Sequence, residues 1–192
     1  MLRAIVISPP TLPSTFAFSI KDKREALLLL THFVGDLHQP LHVGAVYLDT
    51  DGKPVDPDLA HRIDPATETV GGNAITDQNV NLHAEWDDIP FDLGDKSTNE
   101  TRATAKLVPA PTGPVEDWPA IWAGDTILVA RSAFAGVTFT YKAATAQDKA
   151  QWLISYEDHT AYVWMADQIK RRQLAKAGAR LAQILNAIWR QP

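Results

Sequence analysis

His32 and Asp36 stand four residues apart in THFVGDLHQPLHVG, positions 31 to 44, and His83 and Asp87 repeat that spacing in NLHAEWD, positions 81 to 87. On a helix of about 3.6 residues per turn each pair shares one face, so an imidazole and a carboxylate reach the same cation. His42 follows Gln39-Pro40-Leu41, where the proline fixes the chain's exit and turns one more imidazole back toward the helix end. Imidazole nitrogen with carboxylate oxygen suits zinc, and a site with three protein ligands leaves a fourth position for water. The chain has no cysteine, so any metal must be held by His, Asp, Glu or backbone oxygen, and disulfides, iron-sulfur clusters and thiol nucleophiles are excluded.

Taken singly, each residue has a plainer explanation. His32 inside an apolar helix reads as a hydrogen-bonded core imidazole, Asp36 as a polar residue near a helix end, and Asp87 beside Asp88 as half of a solvated pair. Together these readings weaken, because a carboxylate and several imidazoles on an apolar framework carry a large desolvation cost unless a positive charge compensates it. His38, His61 and His159 lack a partner at matching spacing and are assigned to supporting or surface positions, His61 to the surface. Gly71-Gly72-Asn73 reads as a turn, with glycine supplying positive φ.

The elements that must position these groups follow from periodicity. Residues 21–39 form the strongest helix candidate, apolar enough from Ala26 to Val34 to be buried nearly all round, with Pro40 ending it. Residues 44–81 are rich in Gly, Asp, Pro and Thr and read as a long excursion with a short hairpin. A short helix begins near Asn81 and stops before Pro90, residues 91–116 read as a loop, and helical spacing returns at 115–135, with Gly124 a weak point. From 147 to 189 one or two long helices are expected, with Leu174, Ala177, Leu181, Ile184, Leu185 and Ile188 as the apolar stripe and Lys170, Arg171, Arg172, Lys176 and Arg180 as a solvated face.

The 192 residues fit one domain, and 45% apolar residues with six tryptophans supply a substantial core. A net charge of -5 with no basic block argues against gripping duplex nucleic acid. No apolar run reaches the roughly 18 residues of a membrane span, and Pro-Pro at 9 and 10 interrupts the N-terminal apolar run too early for a convincing secretion signal. No G-x-S-x-G elbow of a serine hydrolase is present.

The ordered string HFVGDLHQPLHVG, GGN and NLHAEWD closely resembles the zinc-dependent single-strand-specific nucleases and 3'-nucleotidases of fungi, plants and bacteria. WAGDT at 122–126 looks like that family's Trp-Ala-x-Glu-Ser, with Asp125 and Thr126 in the last two places, and residues 173–189 are similar to its C-terminal helix. The resemblance implies an all-α fold related to zinc-dependent phospholipase C, and three zinc ions in one cleft. It implies that His42, His83 and Asp87 are the full protein ligand set of one zinc, that His32 belongs to a second, and that Asp36 bridges the second to a third. It also implies hydrolysis of single-stranded DNA or RNA and of 3'-nucleotides to 5'-phosphate products, in a family that is typically secreted or periplasmic.

The family's remaining ligands, an N-terminal Trp, two His and an Asp, precede the first motif. Here 31 residues precede His32, with no Trp or His among them, and residues 1–20 diverge from the family pattern. The expectation is an N-terminally truncated chain with one complete zinc site and impaired activity. The competing expectation is a non-catalytic helical fragment stabilised by metal.

Overall fold

A computed structural model describes residues 19–59, 61–93 and 98–189. Of the divergent start expected at residues 1–20, residues 1–18 lie outside the described residues. The architecture is mostly helical, in agreement with the helical fold expected, with one two-stranded and one four-stranded sheet among the described residues.

Helix α1 (Lys23–Asp36) is started by Asp22, whose carboxylate accepts the Glu25 N–H at 2.8 Å. It buries a single stripe, Ala26, Leu30 and Val34, while Leu27, Leu28 and Phe33 are exposed. The all-round burial expected from the leucine run is thus corrected: density of apolar residues does not say how many faces are covered. Pro40 does not end this helix either. α1 closes at Asp36, and Pro40 opens a second, one-turn helix α2 (Pro40–Val43), where its missing N–H costs nothing.

The excursion that follows holds the expected hairpin, β1 (Tyr47–Leu48) with β2 (Pro54–Val55), and then a second, β3 (Ile75–Asp77) with β4 (Val80–Asn81). Helix α3 (Leu82–Asp87) starts where expected, with the Asn81 side chain accepting the Ala84 N–H at 2.7 Å. The supposed loop at 91–116 contains helix α4 (Asn99–Lys106), capped by Thr98. None of its residues is buried, so it left no apolar period to read. Helix α5 (Trp118–Ala130) passes through Gly124 without a break.

Two strands were not expected. β5 (Val137–Lys142) and β6 (Gln151–Tyr156) pair antiparallel from Val137 opposite Tyr156 to Lys142 opposite Gln151. β6 also runs parallel to β3, giving the order β4-β3-β6-β5. The helix expected from 147 therefore starts later, as α6 (His159–Trp189), 31 residues long.

Two apolar clusters organise the packing. Leu30, Val34, Trp118, Trp122 and Ile184 join α1, α5 and the end of α6. Leu41, Leu48, Ile75, Leu82, Trp86, Trp152, Tyr162 and Ile169 join α2, the sheet, α3 and the start of α6. Residues 35–40 carry the chain from one cluster to the other, so packing on both sides fixes the segment that holds the first motif. Among the described residues no helix is long and apolar enough to cross a membrane.

Candidate metal centre

The five side chains named as ligands lie in a series in which each is within 4.0 Å of the next, and among the described residues His42, His83 and Asp87 are the three that form one mutually close donor group. His32 Nε2 lies 3.2 Å from Asp36 Oδ2, one turn along α1. That same oxygen is 4.0 Å from His42 Nδ1 on α2. His42 Nε2 is in turn 3.2 Å from Asp87 Oδ1 on α3, and His83 Nε2 is 3.6 Å from Asp87 Oδ2. The His42 and His83 ring centroids are 4.7 Å apart.

Donor atoms of His42, His83 and Asp87 all lie within 4.8 Å of one another. In a tetrahedral zinc site with bonds of roughly 2.0 to 2.2 Å, neighbouring donors stand about 3.3 Å apart. The two imidazoles approach different oxygens of Asp87, His42 at 3.2 Å from Oδ1 and His83 at 3.6 Å from Oδ2, close to that spacing, and two imidazoles with one carboxylate are a donor set that suits zinc with a fourth position left over. His32 and Asp36 add two donors beside it, His32 being largely exposed.

Local structure presents each donor. Trp86 on α3 is buried, and its Nε1 donates at 3.0 Å to Tyr162 Oη, which donates at 2.9 Å to the Ala133 carbonyl. This buried chain fixes α3 against α6 and leaves His83 and Asp87 facing α2. His83 Nδ1 donates to the Gly71 carbonyl at 2.7 Å, which commits the ring to the tautomer with Nε2 free as a ligand. Gly71 and Gly72 have φ of +58° and +91°, and a Cβ on Gly71 would lie 2.6 Å from the Leu41 carbonyl oxygen. The Gly-Gly-Asn segment is the turn that was expected, and it also supplies the oxygen that orients His83. Burial raises the Asp87 carboxyl, but hydrogen bonds from Gln39 and His42 outweigh it and hold the group below the usual carboxylate range, ready to ligate as an anion.

His38 is not a ligand. It is 2% exposed, and burial pushes its pKa down to about 4. The neutral ring donates from Nδ1 to the Val34 carbonyl at 2.7 Å and accepts at Nε2 from Arg180 Nη1 at 3.0 Å. His61 is exposed, as expected, and His159 lies at the surface 4.0 Å from Asp77.

The charge series on α6 is corrected at Arg180, which is buried rather than solvated. Its Nη2 pairs with Asp125, and its guanidinium lies 5.5 Å from the Trp122 ring centroid. Gln173, also buried, donates to the His38 carbonyl at 2.8 Å and to Thr126 Oγ1 at 3.3 Å. Asp125 and Thr126 of the WAGDT motif thus serve to hold α5, α6 and the segment that follows α1 together. Sequence reasoning missed Arg180 and Gln173 because the buried face of α6 runs through Tyr162, Ala166, Ile169, Gln173, Arg180 and Ile184. Two of these are polar, and an apolar period passes over them. Lys170 is half-buried and donates to the Glu85 carbonyl, and Arg171 holds Asp92 through two bonds of 2.8 and 2.6 Å.

A cleft of about 220 Å³ opens beside the group, lined by Asp36, His42, Trp86, Asp87, Ile89 and Leu174 among others.

This geometry agrees with comparisons across known proteins. A family model described as S1/P1 nuclease matches residues 14–190. Endonuclease 3 of Arabidopsis thaliana is 25% identical over 183 residues, 86% of this chain and 51% of that protein. Endonuclease 4 of the same plant is 38% identical over 69 residues, 34% of this chain and 16% of that protein. The chain therefore spans about half the length of Endonuclease 3. No solved structure matches. A match running from before α1 to the end of α6, on a helical fold that gathers His42, His83 and Asp87, places this chain in the S1/P1 nuclease family.

Proposed function

We propose that this chain is a zinc-dependent phosphodiester hydrolase that acts on single-stranded DNA or RNA and on 3'-nucleotides, releasing 5'-phosphate products. The observation that carries the reading is the convergence of His42, His83 and Asp87, with donor atoms within 4.8 Å of one another, beside an open cleft. When bound, zinc supplies positive charge that polarises phosphoryl oxygen and acidifies water. The protein's own share is to hold the donors. His83 is fixed by Gly71, the Asp87 carboxyl is held below the usual carboxylate range, and His32 with Asp36 offers a second pair of donors beside the three-residue group. Local cationic charge at the metal would replace the basic groove that a net charge of -5 does not provide, which suits accessible strands better than a duplex.

A second reading, a non-catalytic helical unit stabilised by metal, draws on one observation. Among the described residues the second position gathers only His32 and Asp36 beyond the three-ligand group, fewer donors than zinc requires. Cleavage of a 5'-labelled single-stranded oligonucleotide by zinc-loaded protein, with metal content measured on the same sample, separates the two. The expected result is close to one zinc per chain with slow, EDTA-sensitive cleavage. Zinc retention with no cleavage above the EDTA blank would establish the second reading, and a chain that retains no zinc would overturn both.

A further inference from the structure

Gln39 lies between the two helices that carry the three-ligand group, and one amide reaches both. Its Nε2 donates to Asp87 Oδ1 at 2.7 Å, across 48 residues of sequence. Its Oε1 accepts the backbone N–H groups of Leu41 and His42, capping α2. The Gln39 backbone is itself held, donating to the Asp36 carbonyl at 3.0 Å and accepting from His42 N at 3.1 Å. An amide suits this place because it donates at one end and accepts at the other. A carboxylate there would face Asp87 with like charge, and asparagine is one methylene shorter.

Without that bond the Asp87 carboxylate, 48% exposed, would keep only the two imidazoles as partners and would be less tightly held against solvent. Gln39 and His42 both engage Oδ1, which leaves Oδ2 on the His83 side. We propose that Gln39 is a positioning residue of the metal centre, clamping the Asp87 carboxylate against the helix that bears His42 so that both present their donors to one cation. The inference rests on the metal-centre reading above and adds to it a residue that ligates nothing.

Gln39→Ser separates the two jobs of the side chain. A serine hydroxyl still caps α2 as a helix N-cap, but it cannot reach Asp87. Zinc affinity measured by competition with a chromophoric chelator is expected to fall 10- to 100-fold, the usual effect of losing such a partner. The unfolding midpoint of the metal-free protein is expected to stay within about 2 °C of wild type. Unchanged affinity in the variant beside a zinc-binding wild type would overturn this proposal alone. A midpoint that falls by several degrees together with affinity would also overturn it, in favour of a role in packing α2. A wild type that binds no zinc would overturn the metal centre and this proposal with it.

Discussion

His83→Ala is expected to weaken zinc binding about a thousandfold. Apparent binding energies of protein zinc sites run to roughly 10 to 16 kcal/mol, so losing one of three protein ligands removes about 4 kcal/mol. His83 is the least exposed of the three, with its ring already fixed by the Gly71 carbonyl, so neither water nor a neighbouring side chain substitutes for it at the same place. Asp87→Asn is expected to give a comparable loss, since it keeps the shape of the carboxylate and removes its charge. Chelator competition on both variants, with helicity checked by circular dichroism, reads the effect. Full-strength binding in either folded variant would contradict the ligand assignment.

Arg180→Met is expected to cost about 3 kcal/mol of folding stability. The guanidinium is buried and serves His38 Nε2, just after α1, and Asp125 on α5 from its place on α6. Removing one partner of a buried pair typically costs about 3 to 5 kcal/mol because the groups left behind are uncompensated. The lower end applies here, since the Asp125 side chain is 44% exposed and water takes part of the load. For a domain of this size that loss corresponds to a midpoint lower by about 6 to 12 °C. Arg180→Lys keeps the charge but not the planar fork, and an intermediate drop is expected. Thermal unfolding of the metal-free protein checks both, and a midpoint within about 2 °C of wild type for Arg180→Met would show that the network is dispensable.

The sequence made the site more legible than the frame around it, for identifiable reasons. His32 with Asp36 and His83 with Asp87 lie at one-turn spacing within single helices, so local geometry alone puts each pair together. Asn81 and Asp22 announce the starts of α3 and α1 by side-chain caps visible as residue types. The strand β5 alternates half-buried and exposed positions through VTFTYK, a period-two signal available in the sequence. β6 was hidden in a stretch read as helical because a short apolar run such as Trp152-Leu153-Ile154 does not by itself distinguish a strand from a buried helix segment, and its parallel partner β3 lies 77 residues earlier. Arg180 was misread for a related reason. Its partners His38 and Asp125 sit 142 and 55 residues away, and no local pattern distinguishes a buried paired cation from a solvated one. The exposed Leu27, Leu28 and Phe33 of α1 show the same limit from the apolar side.

The central claim is that His42, His83 and Asp87 share one zinc ion. Zinc-edge X-ray absorption on protein loaded with one equivalent of metal tests it most directly. The account predicts two imidazole ligands with Zn–N near 2.0 to 2.1 Å and oxygen completing a four-coordinate shell, with imidazole scattering reduced in His83→Ala. A first shell of oxygen alone, or imidazole scattering that His83→Ala leaves unchanged, would contradict it.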